Sequence, residues 1–522
     1  MKRQIQKLEQ DQTWDIIVIG GGASGLGVAV DSATRGFSTL LLEAHDFAKG
    51  TSSRSTKLVH GGVRYLEQGD IPLVLEALRE RGLLHRNAPQ LVHHQSFIVP
   101  RYQWWEGPFF GIGMKVYDAL AGKLNLAPSR LLSREETISR IPNIETENLL
   151  GGVEYFDGQF DDARLAITLA QTAVHHGACL LNYLPVTGIT KSGGLTSGVE
   201  CKDAETGRTF SVKAKVVINA TGIFCDEIRR LDDPTAAAAV QPSQGVHLVF
   251  DRSFLQGDSA IMVPHTDDGR VLFVIPWHGK VLVGTTDTAM DHADLEPRAM
   301  KDEIGFILRN AARYLARDPK EEDILSVFAG QRPLVRPPKK DGAATKAISR
   351  SHEVLVSESG LVTIVGGKWT TYRKMAEDTL DHAITLGGLD DRPCVTESLQ
   401  LEGWRSPNAS ELREGLAVYG CDAEKLEALM SEDPSLAEPL HSRLPYPKAA
   451  VVWAARHEQA RTLEDVLSRR TRALILDARA AIEAAPDAAE LLARELGHDD
   501  AWANAQVKEF AALAGGYLIP AG

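Results

Sequence analysis

Three glycines, Gly20, Gly22 and Gly25, and one acid, Glu43, have the types and spacing to hold a dinucleotide. At G-x-G-x-x-G spacing the chain can turn sharply at Gly20, bring its backbone against a pyrophosphate at Gly22 and close a helix onto a strand at Gly25. The N–H groups of that helix start then face the phosphates. Glu43, about twenty residues further on, stands where an acid accepts hydrogen bonds from ribose hydroxyls. The chemistry is recognition of an ADP-containing dinucleotide, and the fingerprint alone leaves FAD and NAD both open.

These residues need a strand, a tight turn, a helix and a second strand to position them. Residues 16–19 are a β-branched run suited to a parallel strand buried on both faces, and it ends directly in Gly20. An alanine-containing helix follows, and residues 39–42 form the second strand, ending in Glu43.

A chain of 522 residues is too long for one ordinary core, so two or three domains are expected. Its apolar fraction, 43%, is that of a globular protein, and the net charge of −13 argues against general nucleic-acid affinity and against coating anionic lipid by charge alone. Any anion site must therefore be built locally. Cys179, Cys201, Cys225, Cys394 and Cys421 form no C-x-x-C pair and have no ligand-like spacing with histidine, which suits idle thiols in a reducing compartment and predicts no metal. Residues 1–12 lack the apolar core of a signal peptide, and no apolar run approaches the roughly 20 residues of a membrane span. The expectation is a soluble protein, or at most one bound to a membrane surface.

Residues 51–67 combine small hydroxyl side chains, glycines, Lys57, His60, Arg64 and Tyr65, a composition suited to wrapping a polar ligand. This stretch resembles the flavin-contacting segment of FAD-dependent glycerol-3-phosphate dehydrogenases. The resemblance continues through Ala220-Thr221-Gly222, the Gly-Gln-Arg-Pro-Leu of residues 330–334, the Gly-Gly-Lys-Trp-Thr-Thr-Tyr-Arg of residues 366–373 and the arginine-rich residues 461–472. Two departures stand out. Ile223 and Phe224 occupy places where the family usually has Pro-Trp, and Gln244-Gly245-Val246 replaces Lys-Gly-Ser.

The resemblance implies FAD as cofactor, sn-glycerol 3-phosphate as substrate, dihydroxyacetone phosphate as product and a membrane quinone as second acceptor. It places Gly20, Gly22, Gly25, Glu43, Thr51, Ser52, Ser53, Lys57, His60, Gly61, Ala220, Thr221, Gly222, Gly366, Gly367, Lys368, Thr370 and Thr371 at the cofactor. A phosphate monoester calls for arginine forks and lysine point charges. Arg64, Arg332 and Lys368, each beside a glycine-rich turn, are the candidates, with Arg350 added by family position and Tyr65 as a partner for a substrate hydroxyl. Removing the C2 hydroxyl proton calls for a base with a pKa near neutrality. His247 is the first candidate and His60 the second, and Arg332 completes the catalytic set. Competing readings are an oxygen-using FAD oxidase of glycerol phosphate, an amine or a hydroxy acid, and a flavin-binding scaffold or regulator.

The expected architecture is α/β: a Rossmann-like FAD domain of the glutathione-reductase/D-amino-acid-oxidase type (1–95, 150–240, 345–398), an inserted antiparallel-sheet substrate domain (96–149, 241–344) and a C-terminal helical domain (399–522). Residues 71–88 read as a helix with one buried face, residues 152–164 as the opening of another helix in which Asp161 or Asp162 complements the dipole, and residues 454–484 as strongly helical. Prolines exclude a regular helix from residues 330–338. Residues 101–117 concentrate aromatics, with Trp104, Trp105, Phe109 and Phe110 near Arg101, Lys115 and Lys123. They suit either a lipid headgroup boundary or an internal domain interface, and the family's membrane quinone favours the first. The expected location is cytoplasmic, with peripheral contact at the cytoplasmic face of the membrane and a homodimer among the open assemblies.

Overall fold

The computed structural model describes residues 1, 3–62, 70–124, 126–336, 351–406, 409–410, 412 and 415–519. Arg64, Tyr65 and Arg350, and the side chain of Lys123, lie outside the described residues.

Two sheets and a helical region build the molecule. The first sheet runs in the order His352–Val356, Val362–Gly366, Thr209–Asn219, Thr13–Ile19, Thr39–Leu42, Cys179–Leu181. Its four central pairings are parallel, while the edge strand His352–Val356 is antiparallel to its neighbour. Strand Thr13–Ile19 alternates between two covered faces. Ile16 and Val18 pack with the helices Ala23–Thr34, Asp162–His175 and Tyr372–Gly387, while Ile17 and Ile19 pack beneath the hairpin Val186–Ser192/Leu195–Lys202. Burial on both faces is why this strand is a continuous apolar run. The registers Ile19–Leu42 and Ile19–Asn219 bring three strand ends level, so Gly20, Glu43 and Ala220 leave the sheet side by side. That common edge is where α/β sheets hold ligands.

The second sheet is mostly antiparallel. Its longest pair, Val240–Asp251 with Ile324–Val335, sets His247 opposite Phe328 and Ser243 opposite Arg332. Period-two alternation puts Gly245, His247, Gly330 and Arg332 on one face, and Val246, Leu248, Val327 and Ala329 on the other, where they form an apolar core. Of residues 330–338, those described, 330–336, form no helix, as expected, and Pro333 sits in the strand opposite Pro242. Strands Val92–Arg101 and Gly151–Phe160 join the same sheet, so it draws residues from both sides of the expected borders at 95 and 150.

Two expectations fail locally. Residues 152–160 are strand, and the helix starts only at Asp162, because pairing with Val92–Arg101 buries Val153, Tyr155 and Phe160. Residues 454–484 are not one helix. Ala449–His457 stops, the chain passes through a wider π-helical turn at Asp465–Arg470 and a short helix at Ala473–Leu476, and a long helix resumes at Ala478–Leu496. The interruption lets Arg469, Arg470 and Arg472 reach buried acids of the first domain. Among the described residues no helix is long and apolar enough to cross a membrane.

Candidate active site

A cavity of about 630 Å³ lies between the strand ends of the first sheet and the His247 face of the second. Its dinucleotide end is made by Gly20, Gly22, Glu43, Ala220, Thr221 and Gly222. Gly20 has φ +108°, and a Cβ there would stand 2.7 Å from the Ala220 carbonyl oxygen. Gly25 lies below the wall, and a Cβ on it would meet the Gly20 carbonyl oxygen at 1.9 Å, so helix and turn can close only on glycine. Helix Ala23–Thr34 points its N-terminus at this end, and the Ala23 N–H donates to Ser52 Oγ at 2.9 Å. The Glu43 carboxylate accepts from the Gly21 N–H at 2.6 Å and the His45 N–H at 2.8 Å. Its burial pushes the carboxyl pKa up, with those two backbone donors pulling against it.

The middle of the cavity is lined by Thr51, Ser52, His60, Gly366, Gly367, Lys368 and Thr370. Three bonds hold these segments together. Trp369 Nε1 donates to the Ser52 carbonyl at 2.9 Å, Thr51 Oγ1 to the Gln331 carbonyl at 2.6 Å, and the His60 N–H to Thr370 Oγ1 at 3.3 Å. Besides Gly25, four predicted cofactor residues stand off the wall. The Ser53 carbonyl faces Lys57 and Arg472, the Gly61 N–H donates to the Tyr117 hydroxyl at 2.8 Å, and Thr371 Oγ1 turns back to the Lys368 carbonyl. Lys57 is fully buried against Asp162 at 2.7 Å, because an ammonium taken out of water needs a carboxylate.

At the far end stand His247 and Arg332. The imidazole stacks on Phe328, centroids 4.9 Å apart and planes 14° apart, and its Nε2 lies 2.9 Å from Thr56 Oγ1. Its Nδ1 has no hydrogen-bond partner among the described residues. Burial, then the charges of Lys57 and Arg332, pull its pKa well below the ordinary histidine value, so the ring is a neutral proton acceptor. Arg332 is held by the turn after strand Lys280–Gly284: it donates to the Thr286 carbonyl at 3.2 Å and pairs with Asp287 at 3.4 Å. One cavity thus joins a dinucleotide cradle to a neutral histidine and two cations, Arg332 and Lys368.

Comparison with known proteins agrees with this geometry. Residues 15–373 match the family model described as FAD dependent oxidoreductase, and residues 359–503 match the C-terminal domain of alpha-glycerophosphate oxidase. The chain is 42% identical to the mitochondrial glycerol-3-phosphate dehydrogenase of Homo sapiens, over 95% of this chain and 72% of that protein. It is 37% identical to the mitochondrial enzyme of Schizosaccharomyces pombe, over 98% of this chain and 89% of that protein. The chain belongs to the FAD-dependent glycerol-3-phosphate dehydrogenase family. A crystal structure of the glycerol-3-phosphate dehydrogenase from Bacillus halodurans complexed with FAD superposes with a TM-score of 0.79 at 29% identity, covering 100% of this chain and 99% of that one.

Membership in this family gives the cavity its cofactor, and the glycine cradle fits FAD. Sequence reasoning missed Thr56, the turn Thr285–Thr286–Asp287 and the acid Asp162. Thr56 lies within residues 51–67, where small hydroxyl side chains are too frequent for one to stand out. The small polar run after strand Lys280–Gly284 is a turn signal that could have drawn attention to Asp287. Of the two acids expected to complement the helix dipole, Asp161 caps the helix, accepting from the Arg164 N–H at 3.1 Å, while Asp162 binds Lys57 and Arg472.

Proposed function

We propose that this protein oxidises sn-glycerol 3-phosphate at C2 to dihydroxyacetone phosphate. The observation that carries the reading is the single cavity in which the dinucleotide cradle opens onto His247, Arg332 and Lys368. FAD, when bound, supplies the hydride acceptor for the C2 hydrogen. The protein's own groups do the rest. Arg332 and Lys368 neutralise the phosphate, a charge match that a net-acidic chain must build locally. His247 receives the C2 hydroxyl proton at Nε2, where the substrate hydroxyl takes the place of the Thr56 hydroxyl that holds the ring beforehand. A dianionic substrate bound beside it offsets the cationic field of Arg332 and raises its basicity at the moment the proton must move.

The test is anaerobic titration of the purified, yellow protein with glycerol 3-phosphate, glycerol and lactate. Bleaching of the flavin absorbance by glycerol 3-phosphate alone is the expected result, and bleaching by lactate instead, or by nothing, rejects the assignment. The C-terminal match carries an oxidase's name, so reoxidation by oxygen and by a soluble quinone is compared in the same samples. Faster reoxidation by quinone is expected.

The quinone and the membrane belong to the same proposal. Helix Glu106–Ala121 and the residues before it turn Trp104 and Ile112 to solvent at 78% and 68% exposure, with Phe109 and Leu131 also exposed nearby. Phe110 and Met114 point inward and join the core. An apolar face left open on one side of a helix supports contact with the acyl–headgroup boundary and speaks against the internal domain interface. Electrons then pass to a lipid-dissolved quinone, at the cytoplasmic face of the membrane.

A further inference from the structure

Behind the cavity wall lies an ion triad that the reaction as described leaves without a task. Lys57 comes from the loop that lines the cavity, Asp162 opens the helix Asp162–His175, and Arg472 arrives from the C-terminal region. All three side chains are at most 1% exposed. Lys57 Nζ donates to Asp162 Oδ2 at 2.7 Å, and Arg472 Nη2 donates to Asp162 Oδ1 at 3.1 Å. Both cations also donate to the Ser53 carbonyl, at 2.9 and 2.6 Å. Asp162 Oδ2 further accepts from the N–H and the hydroxyl of Ser55, at 2.9 and 2.7 Å.

Residues 53, 55 and 57 are therefore fastened from behind, and residue 56 is left facing forward. Its hydroxyl is the partner of His247 Nε2. Arg472 Nε also pairs with Asp161 at 3.6 Å, and burying two cations against two carboxylates is a poor source of net stability, since desolvation opposes the ionic gain, whereas it is an effective way to hold one loop geometry. We propose that Lys57, Asp162 and Arg472 are positioning residues for His247: by fixing the loop that carries Thr56 they set the orientation and tautomer of the imidazole that takes the substrate's hydroxyl proton. The chain beyond residue 399 thus takes part in the active site without lining the cavity. This inference rests on the functional reading above.

The triad also contributes charge. Lys57 Nζ lies 5.1 Å from the centre of the Phe328 ring, on which His247 stacks. The charges acting on His247 are Lys57 and Arg332, and those acting on Lys57 are Asp162, Arg472 and Asp161, with His278 on Asp161 at 3.2 Å. Burial and Arg472 draw the Lys57 pKa down to about 8 against the pull of Asp162, so near neutral pH the ammonium is mostly charged. Removing that charge lets His247 bind a proton more readily.

The experiment uses flavin-loaded, full-length protein. Wild type, Lys57→Met, Arg472→Met, Thr56→Val and Thr56→Ser are compared by anaerobic stopped-flow reduction with glycerol 3-phosphate as a function of pH. Lys57→Met should move the acid limb of the reduction rate upward by about one pH unit. Arg472→Met and Thr56→Val should slow reduction by about tenfold or more, with KM changed by less than about threefold, and Thr56→Ser should keep the wild-type rate. An unshifted limb and wild-type rates in the flavin-loaded variants overturn the proposal. Should the charge variants fail to fold, Thr56→Val decides it, because reduction as fast as wild type removes the link to His247. If wild-type flavin is not reduced by glycerol 3-phosphate, the functional reading falls separately. The triad is then judged by the NMR titration of His247 in histidine-labelled protein, which must move to higher pH in Lys57→Met and overturns the proposal if it does not.

Discussion

Arg332 and Asp287 pair at 3.4 Å across the mouth of the turn that follows strand Lys280–Gly284. Asp287 in turn accepts from the Ser243 hydroxyl on the adjacent strand, so the guanidinium is set in place by a chain of polar contacts and is only a quarter exposed. A fixed fork of this kind discriminates by charge and geometry. Arg332→Ala should raise the KM for glycerol 3-phosphate by about 30- to 100-fold, the value of a lost charged hydrogen bond, and change the reaction with glycerol far less. Steady-state kinetics on both substrates checks this, and equal losses on the two would remove Arg332 from the phosphate.

Gly284 and His247 are register partners, and a Cβ at Gly284 would stand 2.2 Å from His247 Cδ2 and 2.9 Å from its Nε2. Gly284→Ala must push the imidazole off its Phe328 stack without altering any ionisable group. The expected outcome is full FAD content with flavin reduction slowed by at least about tenfold, because small misplacements of a reacting group are costly. His247→Asn should slow reduction by about a hundredfold or more, in the range lost when a general base is removed. A Gly284→Ala protein reduced at the wild-type rate would show that the ring's position does not matter.

How much of this was legible beforehand depends on how local the cause is. Gly20, Gly25 and the strand Thr39–Leu42 could be read from the chain because their requirements are met by near neighbours: a turn, a helix packed on it, a strand beside it. The helix expected over 454–484 failed because its interruption answers to distant groups. Arg470 reaches Asp46 across 424 residues and Arg472 reaches Asp162 across 310. Alanine-rich composition favours helix throughout that region, and buried ion pairing overrides it. The same holds at the site. His247 could be nominated only through the family resemblance, but its partner Thr56 is 191 residues away, and only the folded chain shows that one fixes the other.

Exposed side chains on helix Glu106–Ala121 and just before it make a prediction for membranes. Replacing Trp104, Phe109 and Ile112 together with serine removes apolar surface that is already open to solvent, so folding should be unaffected. Sedimentation with vesicles containing anionic lipid should fall by at least about tenfold, while anaerobic flavin reduction by glycerol 3-phosphate stays at the wild-type rate. Unchanged sedimentation would place the lipid contact elsewhere, or nowhere.

Acid should loosen the C-terminal region from the first domain, and Glu464 shows why. It pairs with Lys49 at 2.6 Å and with Arg469 at 2.7 Å, bridging the two parts. Burial alone would raise its pKa, but the charges of Arg469 and Lys49 outweigh that and lower it from 4.5 to about 2. A carboxyl whose folded pKa is depressed stabilises fully above its unfolded value and loses that contribution as the pH falls towards the folded one. The window is therefore from about pH 5 down to about pH 2, and the contribution at neutral pH is roughly 3 kcal/mol. Glu464→Gln should be less stable than wild type at pH 7 in urea unfolding, and the gap should close as the pH is lowered through this window. A gap that is the same at pH 7 and near pH 3 would mean that the side chain contributes by packing, and that the charges of Lys49 and Arg469 are satisfied without it.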